Sequence, residues 1–485
     1  MLEPIADRRA VIDRRGLADR IAGKRKPTEI TQILTEALAS GREEIARRLA
    51  QEPGRGRAAA RATAFLHDQI VRLAYDSVTP GAQTMALVGL GGTGRGEMAP
   101  YSDLDLMFLT KTKPSQAECD AAQAILHVLW NLKLKVGHSL RSIPELMALA
   151  KKDMTVRTAF LEARLLWGEE TLFDLAMTRF RKDIVAGTGA QFVAAKLAER
   201  DARHVRMGDS RYVVEPNIKD GKGGLRDLHT LYWIGKYIHA VERPSDLVAA
   251  GLLTATEFAS FERAERFLWA VRCHLHLAAG RAEERLGFDH QRHIATVMNY
   301  ADRPGKSAVE RFMQFYFLNA KTVGDLTGLF LAQLDEQLGK KGFRFALPTI
   351  RRRPKRLDGF TLDRGRLSIP SDGFLAERDE RHRRMGDSRY VVEHNVKDGK
   401  GGLRDLHTLY WIGQYLFGVD RPAELVAKGL FTEAEYRRFE RAERFFWSVR
   451  CHLHLAAGRA EERLGFDHQR QIAAAMNYAD RPGKS

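Results

Sequence analysis

The stretch Gly91-Gly92-Thr93-Gly94-Arg95-Gly96-Glu97-Met98-Ala99-Pro100-Tyr101-Ser102-Asp103-Leu104-Asp105-Leu106 joins a glycine-rich turn to two aspartates two positions apart. Just before it, TMALVGL (84–90) is a short apolar run ended by glycines, and DLDLMFL (103–109) alternates with the period of a strand. A helix is expected from about Gln116 to Leu132, followed by a strand through LKLKVGHSL (132–140). Strand, glycine turn, strand, helix and strand make a small mixed α/β unit.

The chemistry follows from the spacing. Residues i and i+2 of a strand project from one face, so Asp103 and Asp105 can share hard divalent cations. Such cations position a nucleoside triphosphate, polarise its α-phosphate and stabilise a pyrophosphate leaving group. Gly91 and Gly92 let backbone amides approach the phosphates, and Arg95 and Ser102 add donors. No Gly-Lys-Ser/Thr closes the turn, so a Walker A loop is excluded. A strand carrying aspartates follows where a dinucleotide-binding fold needs a helix. The arrangement resembles the DNA polymerase β-like nucleotidyltransferase superfamily. That superfamily commonly carries a third carboxylate on a later strand; the candidate strand has none, and Asp153 and Glu162 read as a helix cap or surface acid.

Outward from this core the pattern is helical. Residues 1–78 form a helical lead-in, 79–142 the nucleotidyltransferase core and 143–334 a second, all-helical domain; 335–376 read as a basic linker around Arg351–Arg356. Residues 377–485 repeat 199–307 without a gap, with about four-fifths of positions identical. The fold class is α+β: a mixed-sheet core, a helical domain and a partial second copy of it. The first copy runs on into Val309, Phe312, Met313, Phe315 and Phe317, which read as a core-facing helix that the second copy lacks. Unmet apolar surface in copy two predicts loose packing or self-association by domain exchange.

A second signature is Glu215-Pro216-Asn217-Ile218-Lys219-Asp220-Gly221-Lys222-Gly223-Gly224-Leu225-Arg226-Asp227-Leu228, in which a turn leading into a helix offers amides and the charges of Lys219, Lys222 and Arg226 to an anion. Together with VGHSLRS and TAFLEARLLWG it resembles the PII uridylyltransferase family over about residues 25–376. The resemblance implies Mg2+-dependent transfer of UMP from UTP to a tyrosine of the PII signalling protein. It also implies a following HD domain that removes the uridylyl group and two glutamine-sensing ACT domains. The second copy stands there instead, so a shortened enzyme without the removing activity is expected. Copy two keeps the turn (Lys397–Asp405) but has no aspartate pair before it, so one active site is expected.

Two other classes remain open: adenylylation of glutamine synthetase by a related enzyme, and an inactive rearranged scaffold. The formal charge of +16 suits nucleotides, acidic proteins or nucleic acid, but no aromatic stacking run supports nucleic acid. No apolar run is long enough for a transmembrane helix and no secretory signal is present, so a cytoplasmic location is expected. Cys119, Cys273 and Cys451 read as reduced, buried thiols. His67-Asp68 reads as a surface pair on a helix, and Cys273-His274-x-His276 as structural histidines without zinc.

Overall fold

The computed structural model describes residues 5–24, 26–78, 84–208, 213–303, 307–339, 355–357, 360–363, 366–368, 374–385, 393–417, 419 and 421–478. Two compact units result: Met1–Arg303 with Tyr316–Phe345, and Pro304–Phe315 with Ala346–Ser485.

After two short helices at Arg8–Val11 and Arg14–Ile21, unit one continues with helices α1 (Pro27–Gln51) and α2 (Gly56–Val78). In α1, Ile30, Leu34, Leu38, Ile45 and Leu49 are buried at helical spacing, and Pro27 starts the first turn, where its missing N–H costs nothing. Strand β1 (Ala86–Gly89) leads into a short helix α3 (Gly91–Arg95) and then β2 (Leu104–Thr110). Helix α4 (Gln116–Asn131) and strand β3 (Val136–Ser142) follow, then α5 (Ile143–Lys152), α6 (Met154–Leu161) and β4 (Arg164–Gly168). Capping boxes Ser115/Glu118 and Ser142/Glu145 fix the starts of α4 and α5.

The sheet order is β3-β2-β1-β4, with β2 antiparallel to β1, β1 antiparallel to β4, and β2 parallel to β3. One sequence expectation is refined here and one corrected. The glycine turn itself is helical, one short turn ended by Gly96 in the left-handed region. The fourth strand falls inside the stretch read as helical: RLLWG is too short to show a period, and only pairing with β1 makes it a strand.

The remaining helices of unit one include α7 (Glu170–Phe180), α8 (Gly189–Arg206), α9 (Leu225–His239), α10 (Ala255–Ala279), α11 (Phe288–Val297) and α12 (Ala308–Gly339), whose first turns group with unit two. One core cluster gathers Val88 of β1, Met107 and Leu109 of β2, Phe160, Phe180, Phe192 and, from α9, Trp233 and Tyr237. The signature helix is thereby docked on the sheet that carries the aspartates. In α12, Phe312, Met313 and Phe317 are buried as expected, whereas Phe315 is exposed.

Unit two contains α13 (Phe374–Arg384), α14 (Leu403–Phe417), α15 (Glu433–Ala457) and α16 (Phe466–Ala475). Its start also brings Glu310, whose Oε1 accepts from Arg463 at 3.0 Å. Within the presumed linker, strands β5 (Lys355–Leu357), β6 (Phe360–Asp363) and β7 (Arg366–Ser368) form a small antiparallel sheet. Arg351–Pro354 lie outside the described residues. Of the three thiols only Cys273 is buried; Cys119 is half-buried and Cys451 exposed.

Candidate active site

Asp105 sits on β2 in register with Gly137 of β3, and Asp103 lies just before the strand. The Asp105 carboxylate is framed by glycines. A Cβ on Gly137 would stand 2.8 Å from Oδ1, and one on Gly91 3.2 Å from Oδ2. Gly91 also has φ +52°, which L side chains rarely adopt, so glycine is required there by backbone and space together. Thr93, a residue the motif reading passed over, ties α3 to β2: its Oγ1 accepts the Asp105 amide at 3.1 Å. The Leu90 amide donates to the Asp105 carbonyl at 2.9 Å.

Partial burial and the neighbouring Asp103 charge raise the Asp105 pKa, opposed by Lys219, Arg95 and Arg226. An acid raised by a neighbouring acid, with Lys219 and Arg226 near enough to oppose that rise, is a donor set for a hard divalent ion. Magnesium takes few protein carboxylates and completes its shell with water and phosphate, so the pair fits it. Among the described residues no group of three or more His, Cys, Asp or Glu forms a metal cluster.

The two acids considered as third ligands have other partners. Asp153 caps α6, accepting from the Thr155 and Val156 amides. Glu162 is no surface acid: it is buried and its Oε2 accepts from Arg95 Nη1 at 2.5 Å. Arg95, expected to meet phosphate, therefore directs its guanidinium into the protein. Ser102 Oγ accepts the Ala99 amide at 3.1 Å, which leaves its hydroxyl proton to donate elsewhere.

The second signature converges on the same place, since Lys219 and Arg226 act electrostatically on Asp105. Its amides, however, are largely spent within the turn. Asn217 Oδ1 accepts those of Lys219 and Asp220, and Asp227 Oδ2 accepts that of Gly223 at 2.8 Å. The Leu225 and Arg226 amides donate to the carbonyls of Ile218 and Lys219. Asp227 is itself held by Arg203 at 2.5 Å and His204 at 2.9 Å. What the turn offers an anion is side-chain charge. Burial lowers the Lys219 pKa, and Arg226 lies over the Trp233 ring while bonding Asp220 at 3.1 Å. Lys222 lies on the same turn, half-buried.

His67 and Asp68 are buried rather than on the surface. Asp68 pairs with Arg164 at 2.8 Å, and Arg164 also donates to the Thr93 carbonyl. His274 donates to the Pro53 carbonyl at 3.0 Å, whereas His276 Nδ1 accepts the Tyr101 amide at 3.4 Å, so the two rings face different partners.

Residues 191–331 and 373–485 match the model of the GlnD PII-uridylyltransferase family. The chain belongs to this family. A bifunctional uridylyltransferase/uridylyl-removing enzyme of Novosphingobium aromaticivorans is 53% identical over 387 residues, covering 77% of this chain and 42% of that protein. Enzymes of the same description from Erythrobacter litoralis and Rhodospirillum rubrum are each 47% identical, over 78% and 76% of this chain and 43% and 41% of their own. The chain thus spans about two fifths of the length of these curated relatives. Both copies of the helical segment fall in the matched ranges of the PII-uridylyltransferase family, and the aspartate motif lies outside them. Among the described residues no helix is long and apolar enough to cross a membrane.

Proposed function

We propose that this PII-uridylyltransferase family member transfers UMP from UTP to a tyrosine of a PII signalling protein, in the cytoplasm, with pyrophosphate as the second product. The observation that carries the reading is that Lys219 and Arg226 stand near enough to Asp105 to act on its charge, cations for a triphosphate in the neighbourhood of carboxylates for its metal. Asp103 and Asp105 would hold Mg2+, which when bound polarises the α-phosphate and stabilises the departing pyrophosphate.

The remaining work falls to the protein. Lys219, Arg226 and Lys222 neutralise phosphate charge and orient the triphosphate. Gly91 and Gly92 keep the backbone low beneath it, and Ser102 donates a hydroxyl proton. Thr93 holds the Asp105 backbone so that its carboxylate does not swing away.

The purified chain mixed with PII protein, magnesium and UTP labelled in the α-phosphate should label PII and release pyrophosphate. Failure to label active PII would sink the reading. Label from ATP on glutamine synthetase would instead assign the chain to the adenylylating class.

A further inference from the structure

The two copies of the helical segment present the same residues to different surroundings. In copy one Trp269 is 0% exposed, Trp233 3% and Leu231 1%; their counterparts Trp447, Trp411 and Leu409 in copy two are 41%, 37% and 45% exposed. Leu455 reaches 80%, and Cys451, the counterpart of buried Cys273, is exposed. On α15, Glu443, Trp447, Cys451 and Leu455 recur every four residues and so lie on one side of the helix. Trp411 of α14 joins this stripe through His407, whose ring is 5.9 Å from Trp411 and 6.2 Å from Trp447.

Copy one shows what such a face needs. There Trp233 is closed off by the core of the sheet and the Trp269 side by the corner between α1 and α2, whose backbone comes so near that a Cβ on Gly56 would stand 2.2 Å from Ala270 N. Cys273 Sγ donates to the Gly56 carbonyl at 3.4 Å, His274 to that of Pro53, and Arg57 Nη1 lies 3.0 Å from Glu265 Oε2. Each chain carries one such corner and it is seated on copy one. Exchanging corners between two chains would move the open face from copy two to copy one and bury nothing more. Pairing two open faces removes both from water.

We propose that copy two is a self-association surface: two chains dock through the same α14/α15 face about a two-fold axis. A two-fold contact must be self-complementary, and this face carries both signs. Arg404 lies over Trp411 at 5.8 Å and Arg450 over Trp447 at 5.2 Å. Beside them Glu443, whose counterpart meets Arg57 in copy one, is 4.0 Å from His407. The dyad sets the guanidinium-capped tryptophans of one chain against the acid of the other. Arg404 and Arg450 are held in place by Asp398 and Glu462, and exposed tryptophans each beside one fixed arginine are the residue types that dominate association energy.

The test uses the whole chain. Sedimentation across a concentration series should show a reversible dimer for the parent and a monomer for Trp447→Glu/Leu455→Glu, with unchanged helical circular dichroism because both positions are solvent-exposed. In a Cys119→Ser background, a short thiol cross-linker should trap the dimer through Cys451, and Cys451→Ser should abolish the trap. A parent chain that stays monomeric at high concentration overturns the proposal. So does a dimer that survives both substitutions.

Discussion

The Arg95 guanidinium reaches Glu162 across 67 residues of sequence, with Nη1 to Oε2 at 2.5 Å, and both side chains are withdrawn from solvent. The pair pins α3 to the junction of α6 and β4. There a Cβ on Gly94 would stand 2.1 Å from the Glu162 carbonyl. Removing one partner strands the other charge in the interior. Glu162→Ala should cost about 3–5 kcal/mol, whereas Arg95→Met with Glu162→Leu should lie much nearer the parent. Denaturant titration of the three chains measures the difference, and a double variant no more stable than Glu162→Ala would contradict a coupled pair.

Asp103→Asn with Asp105→Asn should abolish nucleotidyl transfer and weaken Mn2+ or Mg2+ binding in the presence of a non-hydrolysable UTP analogue. Stability should remain within about 0.5 kcal/mol, because the change removes mutual repulsion at a solvent-facing strand end. Calorimetric metal titration reads the binding and thermal melting the fold. Retained transfer would remove the pair from the site.

Gly223 and its counterpart Gly401 share a φ of +85°, yet only Gly223 is crowded: a Cβ there would stand 2.4 Å from the Ala320 carbonyl, and nothing lies within 4 Å at Gly401. Gly401→Ala should therefore cost backbone strain alone, on the order of 1 kcal/mol, and Gly223→Ala clearly more. Gly223→Ala should also slow transfer by shifting Lys219 and Arg226. Equal melting losses in the two variants would show that the α12 contact is immaterial.

Glu265 is buried near Glu97, and burial followed by that repulsion raises its pKa to about 7 despite Arg57. The fold therefore favours its protonated form. That contribution is full below the ordinary carboxyl range and is lost as pH rises through about 7. Glu265→Gln, which imitates the protonated acid, should match the parent at pH 5 and melt above it at pH 8. A melting difference independent of pH would contradict the assignment.

Much of this was legible along the chain. Glycines ahead of an alternating apolar run mark the turn and the strand that carries Asp105, because strand periodicity is a local property, although the strand begins at Leu104 and leaves Asp103 just before it. The Asn217-to-Asp227 turn announced itself by composition. Its amides were misjudged as ligand donors because Asn217 and Asp227 satisfy them only once the turn is folded. Glu162 and His67-Asp68 read as surface groups, since polar residues usually are; their partners Arg95 and Arg164 are distant in sequence, and burial is a property of the assembled layers.

By itself, then, the sequence determined the local geometry of this protein: two aspartates on a strand end, a cationic turn, amphipathic helices and a near-identical second copy of one segment. Tertiary structure decided which of these meet. Trp233 docking in the sheet's core brings Lys219 and Arg226 to Asp105, and the Pro53–Arg57 corner closes one tryptophan face while its copy stays open. The physical reason is that periodicity and propensity are short-range, whereas burial depends on what another part of the chain presents. Nearly identical residues therefore make a core in one copy and a surface in the other.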